Sequence, residues 1–139
     1  MLTHTQIRSC IPHEGAMCLL DTVESWDVNR IVCQAAPPTA DHPLARGPSV
    51  PAIVAVEYAA QAAAVHGALL DKSDQPRRGV LAKLADVELA DVVLGASGGR
   101  LVVHAELMSR ADSGCMYRFE VTEQHVCIAR GRLTVAFPP

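Results

Sequence analysis

The chain has 139 residues and a net charge of −3, and half of its residues (50%) are apolar although only 4% are aromatic. A chain of this length has room for one hydrophobic core, so we expect residues 1–139 to form a single domain. The apolar content excludes a disordered protein, which buries too little surface to offset its chain entropy. Because no lysine and arginine cluster exists and aromatic faces are few, the sequence does not support nucleic-acid binding.

Cysteine usage and the first residues bear on the compartment. The five cysteines are an odd number without a Cys-x-x-Cys pair, which favours free thiols in a reducing environment. The first residues carry neither a positive region nor an apolar run, so no signal peptide is visible. We therefore expect a cytoplasmic protein. Because no cysteine and histidine spacing matches a zinc site, the sequence predicts neither a metal nor another cofactor.

The first half of the chain contains one stretch that stands apart. A short helix and two strands precede it, predicted at residues 3–10, 17–23 and 28–36. Residues 50–70 are then apolar over a length that could span a bilayer. Glu57 interrupts this stretch, and a carboxylate in a membrane span is rare. We therefore predict no membrane span but a helix that is apolar on nearly every side, with Pro51 in its first turn.

The second half of the chain is predicted to form an antiparallel sheet. Apolar and polar residues alternate in three segments that glycine-containing or polar turns separate, and residues 80–89 predict a further strand with less regular alternation. The three segments lie at residues 101–107, 117–122 and 132–137. A helix that is apolar all round cannot be covered by a flat sheet. We therefore expect the sheet to curl around the helix, and a second subunit can cover what the sheet leaves open.

Glu57 is the most informative residue, because it lies between Val56 and Tyr58 in the apolar helix. An ionised carboxylate in such surroundings is costly unless it is paired, so burial favours the protonated form, which is a proton donor. Gln61 follows one helical turn later on the same face, where it can hydrogen-bond to the carboxyl group or to a ligand. A solvated helix edge would explain Glu57 without any function, and this alternative stays open.

His42 is the second candidate. It lies in the loop of residues 40–48, where prolines and a glycine fix an irregular backbone. A histidine and a glutamic acid that are brought together supply a base and an acid. A turn with a solvated imidazole would explain His42 equally without chemistry.

These residues resemble the β-hydroxyacyl-acyl-carrier-protein dehydratases. The residues that carry the resemblance are Ile11-Pro12-His13, Leu19-Leu20-Asp21, His42 in its proline-containing loop and the run from Pro51 to Gln61. Within that family the chain is most similar to the small dehydratase-like proteins of aryl-polyene biosynthesis clusters, whose loop reads similarly at residues 42–45. The resemblance implies the hotdog fold, an α+β fold in which an antiparallel sheet wraps around one long central helix.

The resemblance also implies an activity, the elimination of water from a 3-hydroxyacyl thioester in fatty-acid-like or polyene biosynthesis. It assigns the catalytic base to His42 and the catalytic acid to Glu57. The first amides of the helix, at Ala52 and Ile53, would bind the thioester carbonyl where enolate charge develops, and Gln61 would add to substrate binding. The substrate would be the acyl thioester of an acyl carrier protein or of coenzyme A.

The resemblance also bears on the partner, and departures from it leave alternative functions. The resemblance implies a homodimer or a higher homo-oligomer, or a heterodimer with another hotdog subunit. The sequence departs from the usual family pattern in its loop, which reads His-Pro-Leu-Ala instead of His-Phe-Pro-Gly, and at the helix start, which reads Pro-Ala instead of Pro-Gly. Two alternatives to a dehydratase therefore stay open. One is an acyl thioesterase that activates water with the same carboxylate, and the other is a non-catalytic hotdog subunit that completes a partner's site.

Overall fold

The computed structural model describes residues 1–10, 17–72 and 79–138. The elements in chain order are α1 (His4–Cys10), β1 (Thr22–Trp26), β2 (Arg30–Ala35), β3 (Val50–Pro51), a 3₁₀ turn (Ala52–Val54), α2 (Ala55–Asp71), β4 (Val80–Leu89), β5 (Val93–Leu94), β6 (Leu101–Ala111), β7 (Gly114–Glu123) and β8 (Val126–Ala136). Six strands form one antiparallel sheet in the order β1-β2-β6-β7-β8-β4, and β3 pairs separately with β5.

Helix α2 is the centre of the fold. It contacts β2, β6, β7 and β8, so four of the six strands of the large sheet lie against it. Strand β7 shows why the sheet has an inner and an outer face, because Tyr117 and Phe119 are buried while Arg118 and Glu120 are exposed. The predicted architecture, an antiparallel sheet around one long helix, is confirmed.

The same helix is the one part of the described chain that could cross a membrane by length and composition. Counted with its 3₁₀ turn it covers Ala52–Asp71, and 56% of its most apolar window is buried inside the protein. Alanine and valine make up most of its buried residues. We therefore assign it as the core helix, in agreement with the sequence-based prediction.

Two predicted boundaries were wrong, because contacts with distant residues set each of them. The strand predicted at residues 17–23 begins only at Thr22, because the backbone of Met17 and Leu19 bonds to the side chain of Gln61 rather than to a neighbouring strand. Pro51 was predicted in the first turn of the helix, yet it is extended (φ −61°, ψ 148°) and pairs with β5. The proline φ suits both conformations, so the pairing with β5 decides the outcome, and α2 begins at Ala55.

The start of α2 is held in place by a buried carboxylate at the end of β7. Both oxygens of Glu123 accept hydrogen bonds from the loop after β5, at the amides of Gly95 (2.6 Å) and Ser97 (2.7 Å). Gly95 has a positive φ of 86°, which favours glycine there. Because β5 pairs with β3, and β3 leads into α2, Glu123 indirectly fixes where the helix begins.

Candidate active site

His42 lies in the loop between β2 and β3, and the backbone holds it on both sides. The His42 amide donates to the carbonyl of Thr39, and the His42 carbonyl accepts from the amide of Ala45, each at 3.0 Å. The side chain is bonded at both ring nitrogens. The Leu44 amide donates to Nδ1 (3.0 Å), and Nε2 lies 2.9 Å from Oη of Tyr58.

The Leu44 amide determines the protonation state of this ring. Because a backbone N–H only donates, Nδ1 of His42 must accept, and the neutral imidazole carries its proton on Nε2. Nε2–H therefore donates to Oη of Tyr58. Burial lowers the pKa of His42, since the charged ring would lose hydration. His42 is thus held as a neutral ring whose N–H points at a tyrosine.

Tyr58 is the member of this arrangement that the sequence analysis missed. It follows Glu57 on α2, and only 2% of its surface is exposed. Burial, and to a lesser degree the charge of Asp21, raises the pKa of Tyr58 to about 12. A tyrosine inside an otherwise small and aliphatic helix was a usable signal, because a buried hydroxyl requires a hydrogen-bond partner.

Glu57 lies on another side of α2. It is half-buried in the first turn of the helix rather than enclosed in its middle, as the sequence had indicated, because α2 begins at Ala55. Glu57 lines a groove of about 210 Å³ with small helix residues, among them Ala60, Ala64 and Gly67.

His42 and Glu57 are not brought together within one protomer. The imidazole of His42 and the ring of Tyr58 line a separate cavity, also of about 210 Å³, with Cys18, Leu19 and Asp21. The cavity and the groove share no residue. Adjacent residues on an α-helix point about 100° apart, which is why Tyr58 and Glu57 face different spaces.

Gln61 lines the groove of Glu57, as its position one helical turn later predicts, and it also bonds to Leu19 in the wall of the His42 cavity. Its Oε1 accepts from the amide of Leu19 (2.9 Å), and its Nε2 donates to the carbonyl of Met17 (2.6 Å). The side chain is buried, and both ends of its amide already have protein partners. Contact of Gln61 with a substrate stays a prediction, while the structure shows a residue that ties the chain before β1 to α2.

The remaining predicted site residues lie at the entrance to the helix. Ala52 and Ile53 form the 3₁₀ turn, whose first amides have no partner within a helix. Ala52 is buried and Ile53 is exposed. Their binding to a thioester carbonyl stays a prediction. The motif of residues 11–13 lies outside the described part of the chain, in which no three His, Cys, Asp or Glu side chains gather to hold a metal.

A second histidine, His66, is fully buried on the sheet side of α2, away from Glu57. Its Nε2–H donates to the carbonyl of Asp27 (2.7 Å). Its Nδ1 therefore accepts a hydrogen bond from the hydroxyl group of Tyr117 (2.7 Å). Burial lowers the pKa of His66, although the carbonyl and the charge of Asp27 oppose this effect. Every polar atom of the ring is satisfied, as expected for a core histidine.

An antiparallel sheet around one long helix defines the hotdog fold, and solved structures agree. The dehydratase heterocomplex ApeI:P from Xenorhabdus doucetiae is similar with a TM-score of 0.85 and 21% identity, over 96% of this chain and 91% of that chain. The thioesterase SAV0944 from Staphylococcus aureus, in a mutant form, gives 0.64 and 15%, over 85% and 93%. A hypothetical thioesterase protein with coenzyme A from Streptococcus pneumoniae gives 0.62 and 12%, over 84% of each chain.

The family is settled by the sequence rather than by these distant folds. The family model described as ApeP-like, ApeP dehydratase, matches residues 5–139. The chain therefore belongs to the ApeP-like dehydratase family, and the resemblance to aryl-polyene dehydratase proteins is confirmed. No match was found among curated protein sequences.

Proposed function

We propose that this chain is a subunit of an enzyme that eliminates water from 3-hydroxyacyl thioesters. The observation that carries the proposal is the position of His42, which the backbone of its loop holds at a cavity beside α2. Membership of a dehydratase family supports the reaction type. In this proposal His42 acts as the base and Glu57 as the acid, and the acyl group is carried by an acyl carrier protein or by coenzyme A.

We infer that the pair of His42 and Glu57 is completed by two subunits, because one protomer places them at separate cavities. Strand β4 ends the large sheet, so one of its edges has no neighbouring strand among the described residues. This strand exposes Val80 (53%), Leu84 (39%) and Leu89 (43%). An exposed edge with apolar side chains favours cover by another chain. A second hotdog subunit, identical or different, fits this edge.

The groove beside Glu57 suits the acyl part of the substrate. Small helix residues form its floor from Ala60 to Ala68, and Leu81 and Phe137 contribute larger apolar side chains opposite. Residues 57–68 extend over about 16 Å at 1.5 Å per residue. An acyl chain that lies along this floor would bring its functional end to the carboxyl group of Glu57.

The hydrogen bond from Leu44 also favours a second candidate, a non-catalytic subunit. A base that takes a substrate proton becomes an imidazolium with a proton on each nitrogen. Nδ1 of His42 would then oppose the Leu44 amide that now donates to it. If this bond persists in the assembly, His42 is a donor, and the base belongs to the other subunit.

The test is the hydration of a crotonyl thioester, presented on coenzyme A and on an acyl carrier protein. The chain is assayed alone and mixed with a second hotdog subunit from the same source. We expect water addition, and we expect His42→Ala and Glu57→Gln each to lower kcat/KM by at least about 100-fold. Normal turnover by both variants would reject the assignment of these residues.

Two further outcomes separate the alternatives. A non-catalytic subunit predicts activity only in the mixture, with His42→Ala in this chain having no effect. A thioesterase predicts release of free thiol from an acyl thioester without formation of a 3-hydroxyacyl product. Each alternative therefore has a product or a variant of its own.

A further inference from the structure

We propose that the hydroxyl group of Tyr58 donates a hydrogen bond to the carbonyl oxygen of a thioester bound in the cavity that Tyr58 shares with His42. The proposal rests on the proposed function and adds a residue that contacts the substrate. In it Tyr58 is a catalytic residue, and Nε2–H of His42 positions the Tyr58 hydroxyl. When His42 acts as the base, it takes up the proton at Nδ1 and gives up the bond from the Leu44 amide.

The first observation is the polarity of the contact between the two side chains. The Leu44 amide donates to Nδ1 of His42, Nε2–H donates to Oη of Tyr58, and the proton of the Tyr58 hydroxyl is therefore not used by His42. No other polar contact of this hydroxyl occurs among residues 1–10, 17–72 and 79–138. A buried O–H without an acceptor is costly, so this group requires an acceptor beyond the described residues, and a bound ligand can supply one.

The second observation is the space in front of the hydroxyl. Tyr58 is almost completely buried, yet it lines a cavity of about 210 Å³ together with His42 and Asp21. The Asp21 carboxylate accepts the amide of Ala36 (2.6 Å) and lies 3.9 Å from the guanidinium of Arg100. A fixed carboxylate in the cavity disfavours an anionic ligand. The carbonyl oxygen of a thioester is a neutral acceptor and avoids this repulsion.

The chemistry of dehydration gives such a donor a purpose. When the proton next to the carbonyl is removed, its electron pair moves toward the carbonyl oxygen. The pair then forms the carbon–carbon double bond, and the 3-hydroxyl group leaves with a proton as water. A preorganised donor at the carbonyl oxygen stabilises the intermediate charge, whichever group removes the first proton.

His42 makes Tyr58 a better donor. The bond from Nε2–H to Oη polarises the hydroxyl, because successive hydrogen bonds in a chain strengthen one another. The raised pKa of Tyr58 keeps the phenol protonated over the working pH range. The bond from the Leu44 amide thus places the imidazole proton on Nε2, from which it polarises the Tyr58 hydroxyl that contacts the substrate.

The experiment compares Tyr58→Phe with Tyr117→Phe in the assembled enzyme. Tyr117 is the matched control, because it is also a buried tyrosine bonded to a histidine, but its hydroxyl proton is used by His66. We expect Tyr58→Phe to lower kcat/KM for crotonyl-thioester hydration by about 100-fold, mainly through kcat. We expect Tyr117→Phe to leave both constants unchanged.

A spectroscopic measurement reports the hydrogen bond itself. The probe is a butyryl thioester labelled with carbon-13 at the carbonyl, bound as its coenzyme A form and as its carrier-protein form. We expect the carbonyl stretch to lie at lower frequency in the wild-type protein and in Tyr117→Phe than in Tyr58→Phe. The same frequency in all three proteins, or no bound probe in the wild type, overturns the inference.

The two proposals fail separately. If the wild-type assembly does not hydrate the crotonyl thioester, the proposed function is wrong, while the carbonyl band still reports on Tyr58. If the wild type is active and Tyr58→Phe matches it in rate and in carbonyl frequency, only the role of Tyr58 is wrong.

Discussion

Two histidine–tyrosine pairs in this protein use the same residues with opposite polarity. His42 and Tyr58 are joined through Nε2 at 2.9 Å, and His66 and Tyr117 through Nδ1 at 2.7 Å. Both rings carry their proton on Nε2 because of their backbone partners. The tyrosine hydroxyl therefore accepts a hydrogen bond in the first pair and donates one in the second.

The difference comes from one backbone group in each pair. In the first pair the Leu44 amide donates to Nδ1 of His42. In the second pair the Asp27 carbonyl accepts from Nε2–H of His66. The second pair is closed, since each of its donors has an acceptor. In the first pair the hydroxyl proton of Tyr58 has no acceptor in the described part of the chain, and the hydroxyl group lies at a cavity. Residue types alone therefore do not distinguish the two pairs, but the directions of their hydrogen bonds do.

The strongest test of the closed pair is the removal of His66. We expect His66→Leu to lower the free energy of unfolding by about 3 kcal/mol, because the buried hydroxyl of Tyr117 then loses its acceptor. Urea unfolding monitored by circular dichroism measures the change. His104→Leu is the control, since His104 is exposed on β6 and should shift the value by less than about 0.5 kcal/mol. Equal effects of the two substitutions would contradict the assignment of His66 as a core residue.

The two tyrosines provide a smaller contrast. Tyr117→Phe leaves Nδ1 of the fully buried His66 without a donor, and we expect it to cost about 2 kcal/mol of unfolding free energy. Tyr58→Phe removes an acceptor from a half-buried ring but also removes a hydroxyl whose proton has no acceptor among the described residues, so we expect a cost below about 1 kcal/mol. Urea unfolding of both variants in the same oligomeric state measures the two changes in unfolding free energy. A cost for Tyr58→Phe as large as that for Tyr117→Phe would mean that the Tyr58 proton does have a protein partner.

The sequence predicted the frame of the fold better than its site. The apolar composition of α2 and the alternation of apolar and polar residues in β6, β7 and β8 were sufficient to predict these elements, because each pattern lies within one element. The tyrosine partners of His42 and His66 lie 16 and 51 residues away in the chain, and no local pattern specifies them. Glu57 was correctly placed on the helix, but its predicted enclosure depended on where the helix begins. That boundary is fixed by the pairing of β3 with β5, which periodicity does not show.

The dependence of stability on pH gives the last and smallest contrast. Burial lowers the pKa of both His42 and His66 below the ordinary value of 6.5 in the folded protein. Above that value both rings are neutral in both states. As the pH falls below it, the unfolded chain binds protons that the folded protein does not, so the free energy of unfolding falls until the folded rings also titrate.

His66 should contribute more to this slope, because it is fully buried whereas His42 is half-buried. Urea unfolding between about pH 7.5 and about pH 5 measures the slope for the wild type, His66→Gln and His42→Gln. We expect His66→Gln to flatten the slope more than His42→Gln does. A larger flattening by His42→Gln would show that the cavity excludes water from His42 more completely than the core excludes it from His66. The contrast between an open pair and a closed pair would then have to be reversed.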